Sequence, residues 1–308
     1  MRVAMRATMR VAARAVMRAA ARVAARVAGS CPTVCVRMAL VLTIALCLGT
    51  LAACGSMPDS VIVVAGSTSV QPYAEVLAEE FEHQHSENGI DVQGGGSTAG
   101  VTAVESGIAD IGMSSRSLKE AEQALWSIEI AKDGLAVIVH PQNPIADLSL
   151  TQVRGIYSGE ISRWSELGGV GTQIHVIARE EGSGTRSAFE ELVMGNHRIT
   201  PRAIIQDSNG AVMQLVADDR NAVGFVSLGL VELHPDAVKA LRLDGVEASG
   251  RNVVSGTYGL YRPFLFVTDG EPKGLTKQFV DFVLSAPGQQ ILEREGLVPV
   301  TADREDEG

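Results

Sequence analysis

From Ser60 to about residue 297 the chain alternates short apolar runs with Gly- or Ser-rich turns and longer amphipathic stretches, the rhythm of an α/β protein. VIVVAG at 61–66 predicts a buried strand, followed by a helix over about 72–85 with Pro72 in its first turn. IDVQGG at 90–95 predicts a second strand, GSTAG leads into a helix over 99–106, and ADIGMS at 109–114 predicts a third strand. GLAVIVHP at 134–141 is a further apolar run, with Asp133 just ahead of it. The middle of the chain repeats the scheme: a Gly-closed helix over 148–159, a strand at 174–180, helices over 183–195 and 209–218, and a buried strand at 222–229. The remaining segments, KALRLDG at 239–245, GLYRPFLFVTDG at 259–270 and two helices over about 273–295, read as completion of the first core. The expected architecture is two lobes, each a mixed sheet flanked by helices. Residues 61–138 with 235–300 form the first and 139–234 the second. Crossings near 138–143 and 226–235 leave a cleft between them as the ligand site.

The pattern before Ser60 is different. Arg recurs at 2, 6, 10, 14, 18, 22 and 26 among Ala, Val and Met, and the apolar run MALVLTIALCLGTLAA follows over 38–53. That run is short for a transmembrane span. A basic segment, an apolar segment and small residues before Cys54 together read as a secretory signal peptide over 1–53, with an unusually long basic part. Residues 51–54, LAAC, resemble the lipobox of bacterial lipoproteins. This likeness implies cleavage before Cys54, acylation of that residue and stable membrane attachment, since more than one acyl chain is carried there. Residues 54–60 then form the lipidated N-terminus and a short linker. An uncleaved membrane anchor and an Arg-rich presequence of mitochondrial type stay open as alternatives.

Charge sharpens this division. Eight of the 26 Lys+Arg and none of the 36 Asp+Glu precede Cys54, so the body carries 18 basic against 36 acidic residues. Such an acidic balance excludes a nucleic-acid binder, which requires a basic footprint. Three of the four Cys also lie in the front segment, so the body holds Cys54 alone and no internal disulfide. The tail at 301–308 is charged.

Four segments place Gly beside Ser or Thr between a strand and a helix: GSTS at 66–69, GGGSTAG at 94–100, GMSSR at 112–116 and EGSGTR at 181–186. Backbone N–H groups at a helix start, joined by hydroxyls, can converge on one oxyanion. Each alone is equally a turn and a helix cap. None is a Walker A loop or a GxGxxG fingerprint, so nucleotide binding is not indicated.

Arg179, Glu181, Gly182, Ser183, Gly184 and Thr185 resemble the R-x-[DE]-G-S-G-T segment of the periplasmic phosphate-binding proteins of ABC transporters. The likeness extends over about 60–297 through AGSTSVQPY, GGGSTAG, ADIGMSSR, KDGLAVIVHPQNP, ISRWSELGG, AVGFVSLG and LYRPFLFVTDG. It implies a two-lobed periplasmic-binding-protein-like fold of type II that closes over dehydrated phosphate and delivers it to an ATP-driven permease. Ser67, Thr68, Ser69 and Ser97 would offer donors from the first lobe, with Ser183, Gly184 and Thr185 closing the second-lobe side. Arg179 would pair with the anion, though Glu180 and Glu181 are alternative partners for it. Ser115 and Arg116 belong to the same set, Arg116 as either an anion contact or an ion-pair former.

Hydrogen phosphate keeps a proton that sulfate lacks at neutral pH, so a carboxylate acceptor favours phosphate over a fully ionised anion. Glu181 and Asp133 are the candidates for that role. Some relatives place an Asp where Ser114, Ser115 and Arg116 stand here. No G-x-S-x-G elbow, zinc spacing or cofactor motif occurs, so the expectation is a binding protein and not an enzyme, without metal or cofactor. A monomer is expected. A phosphate-sensing or surface-adhesion role on the same fold, or a site for another tetrahedral anion such as sulfate, remains open.

Overall fold

The structure is a computed structural model that describes residues 60–300. The front segment, with the expected signal peptide and Cys54, and the charged tail lie outside the described residues.

Among the described residues twelve strands form: β1 (Ser60–Gly66), β2 (Asn88–Gly94), β3 (Ile111–Ser114), β4 (Trp126–Val139), β5 (Asp147–Leu148), β6 (His175–Arg179), β7 (Ile204–Gln206), β8 (Ala222–Ser227), β9 (Lys239–Ala240), β10 (Arg242–Leu243), β11 (Tyr261–Thr268) and β12 (Val298–Pro299). The main sheet runs β2-β1-β3-β11-β4-β8-β6-β7, with β9 and β12 pairing β4 off this path. β1, β2 and β3 are mutually parallel, as are β6, β7 and β8, while β4 and β11 run antiparallel to their neighbours. Helices follow the parallel strands: α1 (Gln71–Gln84) after β1 and α2 (Ser97–Glu105) after β2. In the second half α3 (Leu150–Ser158) precedes β6, α4 (Gly184–Phe189) follows it, α5 (Asn209–Asp218) follows β7, and α6 (Leu228–Leu233) follows β8. The short α7 (Gly250–Val254) and the C-terminal α8 (Gly274–Leu284) and α9 (Ala286–Arg294) complete the set.

Two separate cores underlie the lobes. The first gathers Ile62 and Val64 of β1, Tyr73, Leu77 and Phe81 of α1, Phe264 and Phe266 of β11 and Phe279 of α8. The second gathers Leu135–Val139 of β4, Tyr157, Phe189 and Phe225, the last two stacked with ring centroids 4.1 Å apart. Every residue of β8 is buried, which is why AVGFVS reads as a continuous apolar run without alternation. α3 starts where Ser149 Oγ accepts the Gln152 N–H and the Gln152 side chain returns to the Ser149 N–H, and it stops at Gly159, whose φ is 85°.

Two expectations move. β4 begins at Trp126, eight residues before the apolar run, because WSIEIAKD already alternates apolar and polar positions; Asp133 therefore sits inside the strand. The boundary expected near residue 234 also shifts, since Val238, Leu241, Leu243, Val253, Tyr258 and Leu260 pack in the second core. The chain crosses to the second lobe at Asp133–Gly134 of β4 and returns at Tyr261–Arg262 of β11, where these pairs of residues are direct cross-strand partners.

Candidate functional site

β1–β3 and β6–β8 are two parallel sets of opposite direction, and the loops at the carboxyl ends of each set meet those of the other across the lobes. Here β1, β2, β3 and β6 end there in GSTS, GGGS, SSR and EEGSGT. Ser67, Ser69, Ser97, Ser115, Ser183 and Thr185 are all buried. Their hydroxyls link in two groups: Ser67 Oγ donates to Ser115 Oγ at 2.8 Å with Ser97 Oγ 3.3 Å from Ser115 Oγ, and separately Ser69 Oγ meets Thr185 Oγ1 at 2.7 Å. Backbone N–H groups occupy acceptor positions on three of them, from Ser69 to Ser67 Oγ, from Ser115 to Ser97 Oγ and from Arg186 to Ser183 Oγ. That fixes the oxygens of Ser67, Ser97 and Ser183 in place, while the hydroxyl hydrogen of Ser67 is given to Ser115 Oγ.

The lobes are closed upon each other. Besides the Ser69–Thr185 contact, the Thr98 N–H donates to the Gly182 carbonyl at 3.1 Å and Arg179 Nη2 donates to Thr68 Oγ1 at 3.2 Å. Gly184 is the closest approach, since a Cβ there would lie 2.2 Å from Ser97 Oγ and 2.6 Å from Ser115 Oγ. Gly96 opens α2 with φ 90°, a backbone region that other residues avoid.

Arg179 is 1% exposed. Its Nε and Nη2 donate to Glu180 at 3.0 and 2.9 Å, and Nη2 also reaches the Asp207 carbonyl at 3.1 Å. Glu180 is thus its carboxylate partner, while Glu181, the residue singled out from sequence, is exposed. Arg116 forms a two-pronged pair with Glu122, at 2.7 and 2.8 Å, so of its two readings the ion pair is the one seen. Arg116 holds the Glu122 carboxyl below its ordinary range, against the opposing effect of burial.

Asp133 and Arg262 form a wholly buried ion pair where the two crossing strands meet: Arg262 Nε and Nη2 donate to Oδ2 at 3.2 and 3.0 Å. Ser227 Oγ and the Gly229 N–H donate to Oδ1 at 2.7 and 3.4 Å. Burial nevertheless pushes the Asp133 carboxyl above its usual range, and burial likewise lowers Arg262. The sequence pattern points to Asp133 but to neither Arg262 nor Asn209. An Arg in the apolar run YRPFLFVT was the available signal for the first; Asn209, at the start of α5, looks like any helix-opening residue.

Among the described residues five buried side-chain atoms have no hydrogen-bond partner: Tyr73 OH, Arg116 Nε, Arg179 Nη1, Asn209 Oδ1 and Arg262 Nη1. Folded proteins pair nearly all such atoms, so each needs a reason. No three His, Cys, Asp or Glu among the described residues are grouped to hold a metal ion, and no described helix is long and apolar enough to cross a membrane.

This fold and cleft are those of solute-binding proteins, and residues 49–287 match the family model of the PBP superfamily domain. The phosphate-binding protein PstS of Bacillus subtilis is 33% identical over 245 residues, covering 78% of this chain and 81% of that protein. The PstS of Pseudomonas aeruginosa is 28% identical, covering 77% and 82%. A crystal structure of a putative phosphate ABC transporter substrate-binding protein from Clostridium perfringens, with bound phosphate, superposes with a TM-score of 0.75 at 41% identity, covering 78% of this chain and 99% of that one. The chain belongs to the PBP superfamily and, within it, to the family of phosphate-binding proteins called PstS.

Proposed function

We propose that this protein captures inorganic phosphate outside the cytoplasmic membrane and passes it to the membrane subunits of an ABC permease, without covalent chemistry. The observation that carries this reading is the buried set of Ser67, Ser69, Ser97, Ser115 and Thr185 hydroxyls from both lobes, close to an Arg179 whose Nη1 has no partner. A small oxyanion matches it: backbone amides at helix starts and hydroxyls donate to its oxygens, and a guanidinium balances its charge. The relatives named phosphate-binding proteins support the choice of anion. Ser67, Thr68, Ser69, Ser97, Ser115, Arg179, Ser183, Gly184 and Thr185 are the ligand set of this reading, and closure of the lobes is the signal a permease recognises. Anchoring through an acylated Cys54 rests on the LAAC sequence, and the protein acts as a monomer.

Calorimetric titration with phosphate, sulfate, arsenate and molybdate tests it. Tight binding of phosphate with much weaker binding of sulfate is expected; no binding of phosphate, or equal binding of sulfate, refutes it. Arg179→Ala removes a charge-assisted contact and is expected to weaken phosphate binding by roughly tenfold to a hundredfold or more.

A further inference from the structure

The geometry points to Asn209 as a further phosphate ligand, its side-chain oxygen accepting the hydrogen of the phosphate's own hydroxyl; this rests on the phosphate reading above. Hydrogen phosphate differs from sulfate in carrying a donor, so its site needs an acceptor as well as a ring of donors. The two carboxylates singled out from sequence do not meet that need. Glu181 is exposed. Asp133 already accepts four hydrogen bonds, from Ser227, Gly229 and twice from Arg262, which fills the lone-pair positions of both oxygens. Glu180 engages Arg179 through both of its oxygens and is about one-third exposed. Ser67, Ser97 and Ser183 each have one of their two acceptor positions taken by a backbone N–H, and as hydroxyls they serve equally as donors, so none is a dedicated acceptor.

Asn209 is 3% exposed, and its Oδ1 is the one oxygen acceptor of an amide or carboxylate among the described residues that is buried with no donor. The turn that leads into it runs along Arg179: the Glu180 N–H donates to the Gln206 carbonyl at 3.2 Å and Arg179 Nη2 to the Asp207 carbonyl at 3.1 Å. Ser208 caps α5 by accepting the Ala211 N–H at 3.2 Å, which fixes Asn209 as the first residue of a ten-residue helix at the carboxyl end of a parallel strand. Arg179 Nη1, an orphan donor, and Asn209 Oδ1, an orphan acceptor, therefore flank the same turn. Together they match an anion that both accepts and donates, and a neutral acceptor reads the proton without adding a negative charge beside the anion.

The test is calorimetry of the full chain, purified in detergent, with inorganic phosphate and sulfate, for the native protein and for Asn209→Asp and Asn209→Leu. Asp keeps an acceptor and loses the amide donor; Leu keeps the size and loses both. Asn209→Leu is expected to weaken phosphate binding roughly tenfold to a hundredfold. Asn209→Asp is expected to bind phosphate more tightly than the Leu variant while rejecting sulfate more strongly than the native protein. Native-like phosphate affinity in the Leu variant overturns the inference. So does an Asp variant weaker than the Leu variant, because a carboxylate at a position that donates to the anion repels it. If Leu prevents folding, the Asp variant against the native protein still decides: stronger discrimination against sulfate with phosphate retained supports the assignment, and loss of phosphate binding with the fold intact, seen by circular dichroism, refutes it. A native protein that binds no phosphate refutes the function proposed above, a result separate from any comparison among the variants.

Discussion

At the scale of single residues the site depends on close approach as much as on donors. Gly184 is the clearest case. Its missing Cβ lets the start of α4 come against Ser97 and Ser115, and an added methyl would lie 2.2 Å from the Ser97 oxygen. Gly184→Ala is therefore expected to oppose closure and weaken phosphate binding roughly tenfold, in line with the cost of overpacking, while leaving the stability of each lobe nearly unchanged. Titration calorimetry and thermal melts without phosphate measure the two effects separately. Gly-Ser-Gly-Thr was legible in the sequence as a helix start, but not the distance to the opposite lobe that makes the middle Gly obligatory. The same limit applied to the acids. Glu180 and Glu181 are equivalent on paper, and only the direction of the backbone after β6 turns Glu180 onto Arg179 and leaves Glu181 in solvent.

At the scale of elements the decisive feature is the junction of β4 and β11. β4 contributes to both cores, and its cross-strand pair with β11, Asp133–Arg262, stands where the chain passes between the lobes. Burying two charges costs several kcal/mol each, repaid only while both remain and are fully hydrogen-bonded. Removing one partner leaves the other uncompensated. Asp133→Asn is thus expected to destabilise the protein by about 3–5 kcal/mol, whereas Asp133→Asn combined with Arg262→Met is expected to recover most of that loss. Urea denaturation of the single and double variants measures this; equal losses in both would remove the pair from the stability of the junction. Arg262 also lies over the Phe264 ring, 5.4 Å from its centroid, so the Met replacement keeps an apolar contact there. The element boundaries were less legible than the elements. Alternation in WSIEIAKD marks a half-buried strand, but its fusion with the following fully apolar run hides it, because the strand passes from an edge of one core to the middle of another.

At the scale of the whole molecule, the body carries twice as many acidic as basic residues, yet the proposed ligand is an anion. Long-range repulsion then slows encounter, and screening relieves it. The association rate for phosphate is expected to rise with ionic strength, opposite to the behaviour of a protein that steers its anion electrostatically; stopped-flow measurement across a salt series checks this. The α/β class, the two-lobed plan and the positions of the Gly–Ser–Thr loops were determined by the sequence itself, because strand and helix periodicity and Gly–Ser–Thr turns are local properties. The tertiary structure alone decided where residues 238–260 pack, which acid pairs with Arg179, that Arg262 pairs with Asp133 and that Asn209 is buried without a donor. Those depend on contacts between segments distant in the chain, which local pattern does not encode.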